Sequence, residues 1–542
     1  MSGLPSMLHA DGIQKYRQTQ FGGYDHTLGA DNGALWDMEN LTGELYPLLS
    51  PRRRRWVAAR LSKPNGLYTH DGIYWVDGDG FYADGERKGT VTDCRKTFAS
   101  LGAYIVILPD RAYYNRLTGE FGSMEAEWSG GALIRDGTYA EEEAKGNTIF
   151  AEGADWASMF RVGDAVAISG CEAHTENNKT SVIREIDGDE LRFYENVFTV
   201  SEGGDTERIS VKRSVPELDF ICENENRLWG CKGDTIYSCK LGDIFNWNVF
   251  DGVATDSYAV DVGSAGDFTG CCSYLGYPVF FKEEHIYKVY GSKPSNFQVM
   301  GSASMGIETG SHASVAIAGE TLFYLSRTGI TAYTGGIPQS VAAAFGTQRF
   351  RSAVGGSDGT RYFVSMEDQD GLWHLFVYDT RRGLWHREDA LEAVGFGWNG
   401  ELYFLDARGT LWIDGTARTA PENCERETPF AWSAEWADFY EYSGSSSSSA
   451  AIAQEKGIGK LLIRLELDEE ASVDILIQFD SDGVWREVKT LEGHVKRSWY
   501  LPIVPRRCDH FRIRLEGVGG CRVYSLTREV YTGSELPNVT DG

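Results

Sequence analysis

The chain has 542 residues, with 52 Lys and Arg against 79 Asp and Glu, a net charge of −27. So many carboxylates make a poor surface for gripping nucleic acid or an anionic membrane. No apolar run approaches the roughly 20 residues of a membrane span, and Met1–Ala10 has neither a basic region nor an apolar core, so neither a membrane anchor nor a signal peptide is expected.

Such a length calls for roughly two to four domains, and 63 Gly with 27 Tyr, 26 Phe and 15 Trp points to turns and strands. Residues 1–65 read as an N-terminal arm and first strands. A turn at Ser50-Pro51 leads into Arg52, Arg53, Arg54 and Arg55, and Trp56-Val57-Ala58 opens a strand. Four arginines in a row are a candidate contact to passing DNA or to an acidic neighbouring subunit. Four charges are few beside the overall acidity, so a solvated or intersubunit loop is the favoured reading of the run.

Hairpins follow, each an apolar run, a polar turn and an aromatic run. They begin at Gly72 and Ala103, and then at Leu228, Pro278, Thr321, Arg361 and Glu401. The hairpin at Leu228-Trp229 turns on Gly233-Asp234 and returns through Ile236-Tyr237. From Leu228 onward the starts fall roughly 40 to 50 residues apart, the period of a β-propeller blade. The expectation is a β-propeller of about six or seven blades over residues 66–139 and 216–416, favoured over ordinary hairpins in several sandwiches. Gly263–Gly266 and Gly355-Gly356 are read as links between repeats.

The spacing breaks between Tyr114 and Leu228. Residues 140–215 are expected to be an inserted small β-barrel domain, with a hairpin on Asp187-Gly188 and a closing strand at Ile209–Val211. The triplet Glu141–Glu143 reads as a solvated lead-in. After residue 416 the composition shifts. Ser443–Ala453 is a Gly/Ser/Ala-rich loop, and the segments at Lys460–Leu467, Val473–Phe479 and Phe511–Gly517 alternate at period two. Residues 430–535 are expected to form a C-terminal β-sandwich, so the fold class is all-β throughout.

No motif carries chemistry. There is no phosphate-cradling loop, no metalloprotease helix and no nucleophile elbow. The acidic turns at Asp77–Gly80 and Asp480–Gly483 have the look of calcium loops but lack the downstream bidentate carboxylate, so they read as hairpin turns. The ten cysteines match no disulfide frame or zinc spacing and read as reduced thiols made in a cytoplasm. No catalytic, cofactor-binding or metal residue is assigned.

The run Asn40–Arg52, the pair of segments Asn226–Gly230 and Gly242–Trp247, and the C-terminal Phe511–Gly517 with Tyr531–Ser534 resemble the propeller-type tail hub, nozzle or packaged-DNA stabilisation proteins of tailed bacteriophages. The resemblance is one of pattern and order. It implies a structural virion protein of the tail, below the portal or neck, assembled in the host cytoplasm and carrying no enzymatic activity or cofactor. It further implies a homo-oligomeric ring, a hexamer by preference, that contacts other tail, adaptor or portal proteins and retains and conducts the genome. An acidic lumen fits that role, because carboxylates let a phosphate backbone slide where Lys and Arg would hold it. The alternatives are a receptor- or carbohydrate-binding tail protein, with Trp485 and Trp499 as stacking surfaces, and a propeller glycosidase.

Overall fold

The computed structural model describes residues 14–27, 33–136, 147–194, 197–201, 206–416, 418, 424–439, 456–504 and 506–532. Glu141–Glu143 and Ser443–Ala453 lie outside them. The regular structure of the described chain is dominated by β-strands, with only short helical turns, and none of its helices is long and apolar enough to cross a membrane. It divides into two compact units. One holds residues 61–312 and 333–338, the other 1–60, 313–332 and 339–542.

The first unit contains four four-stranded antiparallel sheets whose strands follow sequence order. They span Pro64–Thr69 to Glu86–Thr90, Thr97–Leu101 to Phe121–Ser123, Phe220–Asn224 to Tyr258–Asp261, and Gly270–Tyr274 to Gln298–Ala303. Each sequence hairpin forms the two central strands of one sheet. The turn at Gly233-Asp234 links paired Lys232 and Thr235, with Gly233 at φ 58°, the left-handed start that a two-residue hairpin of this type requires.

Between the second and third sheets the chain makes a closed six-stranded barrel, from Ala126–Asp136 to Glu207–Arg213. Trp156, Phe160, Val166, Ile183, Leu191 and Val211 fill it. The domain therefore starts at Ala126, not near residue 140. Its long first strand pairs Ala126 with Arg213 and Leu133 with Phe150, so one strand both enters and closes the barrel. The Arg213 guanidinium donates to the Met124 carbonyl at 3.0 Å and to the buried Asp164 carboxylate.

The second unit continues the pattern with sheets beginning at Ala316–Ala318, Phe350–Ser357 and Ala393–Trp398. The last of these has only three consecutive strands, ending at Thr410–Asp414. Its fourth is Trp56–Arg60, which pairs with Thr410–Asp414 across some 350 residues of chain, and Glu425–Arg426 adds a fifth strand against Trp56–Arg60. Trp56–Arg60 thus belongs to the last sheet rather than to a free arm. Gly355 and Gly356 sit inside the strand Phe350–Ser357, not in a link. A Cβ on Gly356 would lie 2.2 Å from the Phe396 Cβ, and one on Gly355 would lie 2.6 Å from the Ser314 carbonyl, so glycine allows the neighbouring strands to approach.

The C-terminal region forms two five-stranded sheets. One contains Gln14–Gln18, Cys521–Thr532, Lys456–Leu467, Val495–Leu501 and Arg507–Cys508; the other contains Leu35–Glu39, Ala431–Trp436, Phe511–Val518, Ser472–Phe479 and Arg486–Glu492. The alternation holds: Leu461, Ile463, Leu465, Val473, Ile475, Ile477, Ile513 and Leu515 are all buried. Both sheets recruit a strand from the N-terminal arm, so the C-terminal element is not confined to residues 430–535.

Candidate functional site

The Arg52–Arg55 run leads into the strand Trp56–Arg60, and its first and last side chains turn inward. Arg52 and Arg55 are buried, Arg54 is half-buried and Arg53 is exposed. Arg52 grips Glu427 with two parallel bonds, at 2.7 and 2.8 Å, and its Nε donates to Asn40 at 2.8 Å. This is the fork-to-carboxylate geometry that only a planar guanidinium supplies. The ring of Phe430 lies 4.0 Å beneath it. Arg55, with 1% of its side chain exposed, reaches Asp389 and Glu388, each at 2.5 Å.

The groups set one another's charge. Burial works to strip the Arg55 proton, but the carboxylates of Asp389, Glu388 and Glu427 outweigh it and hold the guanidinium charged. Glu427 is held below the usual glutamate range by Arg52 and Arg55, against the pull of burial. Glu388 is raised, because burial exceeds the help it receives from Arg55. The network clamps the strand Trp56–Arg60, the segment after Leu384–Arg387 and the entry to Ala431–Trp436 in one place. Asn40 reinforces it, donating through Nδ2 to the Ala431 carbonyl at 2.8 Å.

Two clefts flank this node within the same unit. One of about 610 Å³ is lined by Arg53, Arg54, Phe430, Asp468, Glu470 and Arg522 among others. The other, about 340 Å³, is lined by Glu44, Arg53, Arg361, Arg382, His386 and Glu388 among others. Arg53 and Glu44, paired at 3.2 Å, form the wall they share. Cations and carboxylates alternate around both. His386 is buried and its pKa falls to about 4, so its imidazole is neutral near pH 7. Neither cleft gathers a nucleophile, a base and an orienting group.

The structure corrects the reading of Arg52 and Arg55 as contact residues or as part of a solvated loop. Both are consumed inside the molecule, because a buried guanidinium must find carboxylates. Arg53 is free to face outward, and Arg54 donates to the Glu427 carbonyl at 2.5 Å. Their partners Glu388, Asp389 and Glu427 escaped the sequence reading. The one local hint is an acidic pair directly after the apolar strand Leu384–Arg387. Trp485 and Trp499 are partly buried, and cations cover them: Arg514 lies 4.2 Å from the Trp485 ring, and Arg497 lies 3.5 Å from the Trp499 ring. All ten cysteines are free thiols.

No protein-family model matches this sequence, and no curated protein does. Among solved structures, the chain is similar to Raptor of Chaetomium thermophilum at 12% identity and a TM-score of 0.32, over 67% of this chain and 29% of that one. It is also similar to an exo-β-1,3-galactanase of Phanerochaete chrysosporium with galactose, at 8% identity and a TM-score of 0.21, over 57% of this chain and 94% of that one.

Proposed function

We propose that the six four-stranded sheets and the five-stranded sheet completed by Trp56–Arg60 are the blades of one β-propeller, and that the protein is a non-catalytic structural component of a bacteriophage tail. In this reading copies of the chain form a ring below the portal or neck, a hexamer by preference, that retains the genome and then conducts it. The sheet that borrows Trp56–Arg60 supports the propeller, since a strand preceding the first blade and completing the last ties the two ends of a ring together.

The observation that carries the conduit reading is the fate of the Arg52–Arg55 run. It is the densest basic run in the chain, and its first and last arginines are spent on internal carboxylates. With that run spent, no dense basic patch is left to hold a phosphate backbone, and the chain as a whole is acidic at −27, a balance that lets duplex DNA pass without counterion release. The cation-covered Trp485 and Trp499 favour this over the carbohydrate-binding alternative, because a stacking platform needs a bare ring face. The carboxylates around the node are held by guanidinium groups, which fits a structural clamp better than the acid–base pair of a glycosidase.

Locating the chain in an intact particle by electron cryomicroscopy tests the reading. A ring on the tail axis is expected; peripheral trimers would transfer the assignment to receptor binding. Purified protein is expected to show no affinity for duplex DNA even at low salt. Tight binding that weakens steeply with salt would overturn the conduit argument.

A further inference from the structure

The turn at Asp480–Gly483 lacks the downstream carboxylate of a calcium loop. The fold supplies other donors. Phe479 pairs with Phe511 at the end of two neighbouring strands, so Asp480 and His510 leave the sheet side by side. The donor atoms of Asp480, Asp509 and His510 all lie within 4.8 Å of one another. The backbone locks them there: the Asp480 N–H donates to the His510 carbonyl at 3.1 Å and the Asp509 N–H donates to Asp480 Oδ1 at 2.8 Å.

The orientation of each donor matters. Ser481 Oγ lies 2.7 Å from His510 Nε2, which turns Nδ1 toward Asp509. Nδ1 and Asp509 Oδ1 stand 2.5 Å apart. That Asp509 oxygen is itself shielded from water. A carboxylate oxygen beside a ring nitrogen puts two ligand atoms where one cation can reach both.

We propose that Asp480, Asp509 and His510 bind a divalent transition-metal ion of the zinc class, through two carboxylates and His510 Nδ1. The donor set selects the ion. Calcium and magnesium favour shells made of oxygen alone, whereas a set that includes an imidazole nitrogen suits Zn²⁺. Asp438, whose Oδ1 lies 3.8 Å from His510 Nε2, is occupied by Arg512 at 2.6 Å and serves as an outer partner. Three protein ligands leave room for water, and the bound ion would staple the 480–483 turn to the 509–510 segment.

The test titrates metal-stripped full-length protein with Zn²⁺ near neutral pH by calorimetry. One ion per chain is expected, with Ca²⁺ unable to compete. Asp480→Asn and Asp509→Asn are each expected to weaken binding at least about tenfold, while Ser481→Ala retains it. Asp480 is exposed, so its variant should fold, and circular dichroism checks that it does. Unchanged Zn²⁺ affinity in both Asn variants would mean adventitious binding elsewhere and overturn the proposal. So would the absence of Zn²⁺ binding by the parent chain, or equal displacement by Ca²⁺.

Discussion

The inserted barrel and the C-terminal pair of sheets are both small antiparallel β units, yet they are built in opposite ways. The barrel draws all six strands from one continuous stretch, Ala126 to Arg213, and closes on itself with a core of its own. The C-terminal sheets draw strands from both ends of the chain, pairing Gln14 with Val530 and Leu35 with Trp436. Their core runs on into Phe323, Tyr362 and Trp385 of the preceding sheets. Each region is also rooted by buried arginine: Arg213 with Asp164 for the barrel, Arg52 and Arg55 with three carboxylates for the sheets. A self-contained module can be gained or lost without harm to its host, whereas a region woven from both termini stands or falls with the unit that contains it.

The sharpest way to break this contrast is by deletion. Removing residues 126–213 and joining Glu125 to Ser214 by a short Gly-Ser linker is expected to leave soluble, strand-rich protein. Removing residues 1–39 strips one strand from each C-terminal sheet and is expected to abolish soluble expression. Soluble yield and far-ultraviolet circular dichroism read both. If the barrel deletion is the one that aggregates, the modular reading fails.

Core truncation comes next. Trp436→Ala and Trp156→Ala each empty a fully buried site and should cost about 3–5 kcal/mol. The distinction lies in where the cost appears. Trp436→Ala should lower the main unfolding transition of its unit, whereas Trp156→Ala should raise hydrogen exchange only within the barrel. Exchange spreading beyond residues 126–213 in the Trp156 variant would contradict a separate barrel core.

The arginine roots give a comparable but more selective effect. Arg55→Met leaves the buried Glu388 without its paired cation and Asp389 with Arg52 alone, at a cost of about 3–5 kcal/mol, visible in denaturant unfolding. The network also gives a pH dependence of defined sign. Because the folded Glu427 is depressed, its contribution is fully present above the ordinary glutamate range near about 4.3 and is lost as pH falls through its lower folded value. Glu427→Gln should flatten this part of the acid limb of stability. An acid limb as steep as the parent's would remove Glu427 from the account.

The smallest effect is expected at Arg53. Its side chain is 66% exposed and its partner is Glu44, so Arg53→Ala should change stability by less than about 1 kcal/mol. Thermal unfolding of Arg53→Ala beside Arg55→Met then separates two arginines that are two positions apart. Equal losses would mean that the inward and outward assignment is wrong.

Much of the local architecture was legible. The seven hairpins and the turn at Gly233-Asp234 fall where period-two alternation and turn residues put them, as do the alternating strands after Lys460; the hairpin expected on Asp187-Gly188 turns one position later, on Gly188-Asp189. These features depend on neighbours within a few residues. The barrel was legible as an interruption of spacing, but its start was missed by about fourteen positions because Ala126–Asp136 reads as a continuation of the preceding repeat. Gly355-Gly356 was misread for a related reason, since two glycines signal a link just as well as a close approach between strands.

The sequence by itself determined the strands, their turns and the all-β class, because alternation and left-handed turn residues act over distances shorter than one hairpin. Only the tertiary structure decided which strands become neighbours. It gave Trp56–Arg60 to a sheet some 350 residues away and placed Gln14–Gln18 and Leu35–Glu39 in the C-terminal sheets. It turned Arg52 and Arg55 inward toward Glu388, Asp389 and Glu427, and brought Asp480 beside Asp509 and His510. Local patterning says that a segment will extend and which of its faces is apolar. The partner is chosen by burial and hydrogen bonding summed over the whole chain, and a charge run looks solvated until the carboxylates that will bury it are in place.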